Sequence, residues 1–213
     1  MRKLIESTFV TLGGDIGAPQ EWGPPYLFGP EPGEYSRELL FRADALLLGR
    51  KTYEGLSAGY TAMAEGEPGP PNDFVARMNA IPKYVASTTL TELSWNATLL
   101  SGDVARQVAE LKDQPGNYLL KYGTGPLDRT LVSEGLIDEF RIWIVPVTHG
   151  PGQSLFTDVP ETSLELASAR TFSTGVVLLT YVPAAAAATA AESAGAAATA
   201  AEPATRGRLA AEP

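Results

Sequence analysis

Apolar positions along the chain gather in short runs, separated by stretches in which apolar and polar residues mix at helical spacing. The runs Leu4–Val10, Ala45–Leu48, Lys83–Ala86, Ala97–Leu100, Tyr118–Leu120 and Phe140–Val147 have strand length and predict β-structure. Helices are predicted near Glu34–Ala43, Arg50–Leu56, Asn72–Asn79, Val104–Lys112 and Gly125–Glu134. Asp103 can cap the fourth of these, and Pro126 suits a first helical turn, where its missing N–H costs no bond. Strand and helix in alternation indicate an α/β fold. Two alternating runs near the end, Ser163–Arg170 and Val176–Val182, are split by the turn-forming TFSTG and predict an antiparallel hairpin. The expectation is a mainly parallel sheet of roughly eight strands, flanked by helices and closed by that hairpin.

Two glycine- and proline-rich segments interrupt the pattern. Gly13 to Gly33 holds 11 Gly or Pro in 21 residues, and Gly55 to Pro71 is similarly rich. Loops of this length in compact domains are commonly lids or disordered. Trp22, Tyr26 and Phe28 favour a lid for the first, with ring faces suited to stacking on a planar substrate. After Pro183 the composition changes: residues 184–213 carry 16 alanines and almost no large apolar side chain. Such a segment has little to bury, so one domain is expected over residues 1–183 with an Ala-rich low-complexity tail outside it.

Charge and composition narrow the chemistry. Sixteen Lys and Arg against 25 Asp and Glu give a formal charge of −9, which opposes general attraction to nucleic acid or anionic membrane. Any bound anion needs a local site. Cysteine is absent and there is one His, so disulfides, thiolate zinc sites and Cys nucleophiles drop out, and no metal is expected. A reducing cytoplasm fits this usage. No signal-type apolar segment opens the chain, and no run approaches the length of a membrane span.

Three strand ends carry candidate chemistry. In KYGTGPLDR, Lys121 to Arg129, an apolar run enters a Gly-Thr-Gly turn that opens a helix, a geometry that aims backbone N–H groups and the positive end of the helix dipole at an anion. Asp128 occupies the third-glycine position of a dinucleotide fingerprint, so an ordinary Rossmann motif is rejected. In ALLLGRKTYE, Gly49 precedes Arg50, Lys51 and Thr52 at a helix start. In PKYVASTTL, Ser87, Thr88 and Thr89 follow a strand. Ligands of open α/β sheets collect at this carboxyl edge.

From Arg2 to Pro183 the chain resembles the dihydrofolate reductase-like fold in its riboflavin-biosynthesis reductase branch, related to the C-terminal domain of bifunctional deaminase-reductases. The resemblance rests on RKLIESTFVTLGG, ADALLLGRKTYE, PKYVASTTL, KYGTGPLDRTLVSEGLIDEFRIWIVPV and GPGQSLF in that order. It implies NADPH lying across the carboxyl ends of the strands. Gly49, Arg50, Lys51 and Thr52 with Ser87 and Thr88 would hold the adenosine end; Gly123, Thr124, Gly125, Pro126 and Leu127 the pyrophosphate; Ile16 and Gly17 the nicotinamide side. It also implies a small pterin-like, pyrimidine-like or carbonyl substrate, with Trp22, Tyr26 and Phe28 near it, and pairing into homodimers through sheets and C-terminal strands. Relatives usually read Ser-Leu-Asp-Gly after the first strand. Here Thr11-Leu12-Gly13-Gly14 stands there and the acid follows at Asp15, the candidate catalytic residue because reduction of C=N or C=O needs a proton as well as a hydride. His149 stands where relatives tend to be apolar, and reads as a turn residue before Gly150 or as a substrate-facing departure.

Two alternatives remain open at this level. The same fold could bind or sense a nucleotide without turnover, the displaced Asp marking lost catalysis. Alternatively Gly55-Leu56-Ser57-Ala58-Gly59 spells the GxSxG of a serine hydrolase using Ser57, although no strand directly precedes it.

Overall fold

The structure, a computed structural model, describes residues 1–66, 72–150 and 152–184. The strands are β1 (Lys3–Thr11), β2 (Ala45–Gly49), β3 (Lys83–Ala86), β4 (Ala97–Leu100), β5 (Tyr118–Tyr122), β6 (Glu139–Val145), β7 (Leu164–Thr171) and β8 (Val177–Pro183). They form one eight-stranded sheet in the order β4-β3-β2-β5-β1-β6-β8-β7. All neighbours from β4 through to β6 pair in parallel, while β8 runs antiparallel to both β6 and β7. The expected α/β fold with an antiparallel terminal hairpin is therefore present. Its turn is fixed by Gly175, at φ 84°, where a side chain would be strained.

The helices are α1 (Pro19–Trp22), α2 (Pro24–Leu27), α3 (Pro30–Arg42), α4 (Arg50–Gly66), α5 (Asp73–Ala80), α6 (Val104–Asp113) and α7 (Pro126–Ser133). Strand alternation sorts the core onto two faces. Leu47 and Leu119 meet Val108 and Leu111 of α6 and Leu131 of α7, whereas Leu46, Leu48 and Leu120 meet Leu39 and Leu40 of α3, Tyr53 of α4 and Met78 of α5. Central strands covered on both faces read as unbroken apolar runs, which is why they stood out in the sequence.

The helix boundaries differ from expectation in two places. The first long helix begins at Pro30 rather than near Glu34, because Pro30 and Pro32 fall in its first turn, where no internal bond needs their missing N–H. The helix expected over Arg50–Leu56 continues to Gly66, straight through Gly55 and Gly59. Glycine lowers helix propensity by about 1 kcal/mol, an amount that packing of Tyr53, Leu56 and Tyr60 against the core offsets. Within the glycine-rich stretch before α3, two single-turn helices replace open loop, each starting at a proline. Trp22 and Leu27 from these turns join Trp143, Val145, Phe172, Val176 and Leu178 in a third apolar cluster. Beyond Ala184 the Ala-rich segment lies outside the described residues.

The register brings Thr11, Gly49, Ala86, Tyr122 and Val145, the last residues or near-last residues of five parallel strands, to one edge of the sheet. Every candidate read from the sequence leaves the sheet at that edge.

Candidate active site

The Gly-Thr-Gly turn follows β5, next to the start of α4. Gly123 has φ 69°, and a Cβ there would come within 3.4 Å of Thr52 Oγ1, so the turn and the first turn of α4 touch. Beneath the turn three ionisable side chains are sealed from water. Lys121 Nζ lies 2.9 Å from Glu6 Oε2 and 2.9 Å from Asp128 Oδ1, and also donates to the Gly123 carbonyl. Thr8 Oγ1 donates to Glu6 at 2.8 Å, and Gly125 N–H donates to Asp128 Oδ2 at 2.6 Å. Asp128, the residue that broke the dinucleotide fingerprint, thus closes the turn from below. Burial pushes the Glu6 carboxyl up to about 8; Lys121 opposes the shift and the nearby Asp128 reinforces it.

These bonds decide which donors remain. Gly123 N–H is taken by Ser7 O and Gly125 N–H by Asp128, while Thr124 N–H has no partner among the described residues. Thr124 Oγ1 donates to the Leu155 carbonyl. An anion at this turn would therefore be held by Thr124 N–H and the neighbouring start of α4, a helix of 17 residues whose first turn carries Arg50 and Lys51. The residues fit a pyrophosphate, with fewer backbone donors than the motif alone suggested.

On the far side of α4, Arg50 reaches β3's exit. Its Nε bonds Glu54 Oε1 at 2.7 Å and its Nη1 bonds Thr89 Oγ1 at 2.8 Å, and Ser87 Oγ accepts from the N–H groups of Thr89 and Leu90. The hydroxyl that meets Arg50 is thus that of Thr89, one place beyond the predicted Ser87–Thr88 pair. The residue type was visible; only the turn geometry selects it.

At the ends of β1 and β6 a cavity of about 370 Å³ opens, lined by Gly13, Gly14, Asp15, His149, Gly150, Gly152 and Ser154. The loop after β1 is tied down by Thr11 N–H to Asp15 O, Leu12 N–H to Val147 O, Ile16 N–H to Gln153 O and Leu155 N–H to Gly14 O. Asp15 itself is 5 % exposed. Its carboxylate faces His149 Nδ1 at 2.9 Å and accepts the Gly17 N–H at 2.8 Å. The bond to His149 and then that to Gly17 hold it below the usual carboxylate range, against the pull of burial. Gly152 packs on this carboxylate so closely that any Cβ would overlap it. Gly152 did not announce itself as part of a site in the sequence, and His149 stood out there as a turn residue or a substrate-facing departure without its partner; both follow a strand end by several residues, and only the fold brings them back onto Asp15.

The remaining candidates divide. Ile16 is partly buried against the core. Trp22 is buried, and its Nε1–H donates to Gly17 O at 2.7 Å, bracing the loop that carries Asp15. Tyr26 is partly buried beside it, and Phe28 is 78 % exposed. The GxSxG reading is overturned: Ser57 lies mid-helix in α4, its Oγ donating to Glu54 O of the same turn, where no strand-to-helix elbow exists.

A parallel sheet with an antiparallel terminal hairpin and ligand-type turns on its carboxyl edge defines the dihydrofolate reductase-like fold. Residues 2–178 match the RibD C-terminal domain, and the chain belongs to that family. It is 33 % identical over 181 residues to the uncharacterized protein YyaP of Bacillus subtilis (strain 168), spanning 84 % of this chain and 94 % of that protein. A crystal structure from Shewanella sp. PV-4, named for riboflavin biosynthesis, shares the fold at TM-score 0.63 and 20 % identity, over 86 % of this chain and 99 % of the other. Dihydrofolate reductase from Enterococcus faecalis, solved with NADP(H), superposes at TM-score 0.56 with 15 % identity, over 85 % and 96 %. Among the described residues no helix is long and apolar enough to cross a membrane.

Proposed function

We propose that the protein is an NADPH-dependent oxidoreductase that reduces a small heterocyclic substrate, pterin-like or pyrimidine-like, or a carbonyl compound. The observation that carries this reading is convergence: the start of α4, the turn after β3 and the turn after β5 share one sheet edge, with Thr52 against Gly123 and Arg50 on Thr89. Membership in the family and the fold shared with a reductase solved with NADP(H) support it. Gly49, Arg50, Lys51 and Thr52 with Ser87, Thr88 and Thr89 are assigned to the adenosine end. Thr124, between Gly123 and Gly125 and ahead of Pro126 and Leu127, is assigned to the pyrophosphate, and Ile16 and Gly17 to the nicotinamide side. When bound, the cofactor supplies the hydride. Asp15 is assigned to proton handling, and Tyr26 and Phe28 offer ring faces to a planar substrate, which Trp22 serves by bracing the loop.

Preference for NADPH over NADH follows from the extra phosphate. Two charge-assisted contacts of roughly 1.5–3 kcal/mol each correspond to about a hundredfold or more. Thermal shift tests this, since ligand at about 100 times its Kd stabilises by roughly 2.7 kcal/mol, a rise of several degrees. The expected result is a clear rise with NADPH, a much smaller one with NADH at equal concentration, and loss of the difference in Arg50→Ala. Equal shifts remove the 2′-phosphate assignment, and no shift with either removes the reductase reading. NADPH binding without reduction of any pterin, pyrimidine, quinone or carbonyl compound would leave a nucleotide-binding or sensing protein. Seven of the eight residues of the edge strand β7 are exposed, which leaves its outer edge open to a second copy. Light scattering at the 22.5 kDa monomer mass at high concentration would end that assignment.

A further inference from the structure

Asp15 was assigned to proton handling because a carboxyl stood near the expected hydride acceptor. Its surroundings speak against its being the acid. Its carboxylate lies 2.9 Å from His149 Nδ1 and accepts from Gly17 N–H at 2.8 Å, and Gly152 packs against it so closely that a Cβ there would overlap it. The contacts with His149 and Gly17 hold the carboxyl below its usual range, and an ionised carboxylate has no proton to give. His149 is placed differently. Its side chain is 39 % exposed and lines the same cavity. With Nδ1 on Asp15, its Nε2 has no partner among the described residues.

We propose that His149 is the proton donor of the reductase, acting through Nε2, and that Asp15 is a positioning residue that fixes the imidazole with Nδ1–H directed at its carboxylate. This rests on the reductase reading. The step balances simply. A hydride with its two electrons passes from the reduced dinucleotide to the carbon of a C=N or C=O group, breaking the π bond, and the electron pair moves to the nitrogen or oxygen. That atom takes the proton from Nε2–H of the imidazolium. The imidazole is left neutral, with Nδ1–H still on Asp15, and regains a proton from water at its exposed edge. Among the described residues Asp15 is the other titratable group lining the cavity, so one pair sets the pH response.

Because His149 is the chain's one histidine, its ring nitrogens can be read without ambiguity by ¹⁵N NMR of the full chain. The neutral imidazole is expected as the Nδ1–H tautomer, giving way to a mixture in Asp15→Ala. A wild-type ring already in the Nε2–H form, unchanged by Asp15→Ala, overturns the pairing. The second arm follows NADPH oxidation with a panel of dihydropterins, aminopyrimidines and aldehydes across pH. The expected result is a rate that falls on the alkaline side through one ionisation, with kcat lowered on the order of a hundredfold or more and that limb flattened in His149→Gln, while the NADPH thermal shift is unchanged. An unaltered rate and limb in His149→Gln overturn the proposal, as does NADPH binding with no acceptor reduced. Absence of any NADPH shift in the wild type removes the parent reading, and this proposal with it, and is distinguishable because the tautomer is read without cofactor.

Discussion

Lys121 and His149 each face a carboxylate at the carboxyl edge of the sheet, but in opposite surroundings. Around Lys121 the ammonium and both acids are sealed, with side chains at most 2 % exposed, and the group bonds the turn through Lys121 to the Gly123 carbonyl and the Gly125 N–H to Asp128. Around His149 the acid is covered while the imidazole stays open to a cavity. Sealed charges cannot exchange protons with a ligand, so the first group shapes backbone. A half-open pair can, so the second is suited to chemistry. Burial rather than residue type separates the two roles.

Removing the sealed cation should break this comparison most strongly. Lys121→Met leaves Asp128 buried without its counter-charge and Glu6 without its donor, and breaking a buried pair costs about 3–5 kcal/mol; chemical denaturation should show a loss of that size. Gly152→Ala comes next. The new Cβ would overlap the Asp15 carboxylate, and overpacking of this kind costs about 1–3 kcal/mol, measurable as a lowered Tm.

The pH dependence of stability sharpens the contrast. The folded state keeps Glu6 protonated up to about 8, whereas the unfolded chain releases that proton near 4.5. Between these values the folded state holds the extra proton, so stability declines as pH rises through the window and levels off above it. Glu6→Gln should flatten that slope in denaturation curves taken from pH 5 to about 8. Asp15 has the opposite sign. Its contribution is present above the ordinary carboxylate value of 3.8 and is lost as pH falls below it, and His149→Gln should weaken this acid-side loss. Near neutral pH the same His149→Gln should lower stability by the contribution it removes from Asp15, a small loss read as a lowered Tm.

Much of this arrangement was legible in the sequence, for identifiable reasons. The core strands were visible because burial on both faces makes ALLLG and YLLKY nearly continuous apolar runs, and the hairpin because TFSTG divides two alternating ones. The turns after β2, β3 and β5 were legible because glycine and hydroxyl residues at a strand end have few other uses. Helix extent was not: Pro30 and Pro32 or Gly55 and Gly59 look like breakers until tertiary packing and first-turn placement excuse them. The Lys121–Glu6–Asp128 group and the Asp15–His149 pair were also hidden. Their members lie up to 134 residues apart, and only strand register brings them together.

The most direct test of the account is amide hydrogen exchange with and without saturating NADPH. The account predicts slowed exchange at residues 49–52, 87–89, 123–125 and 127, with Thr124 among the most protected. It also predicts no change at the opposite ends of the strands, where Lys3, Tyr35, Arg42, Asn117 and Arg141 line a separate cavity of about 430 Å³. Protection at that opposite cavity, with none at Thr124 or the start of α4, would contradict it.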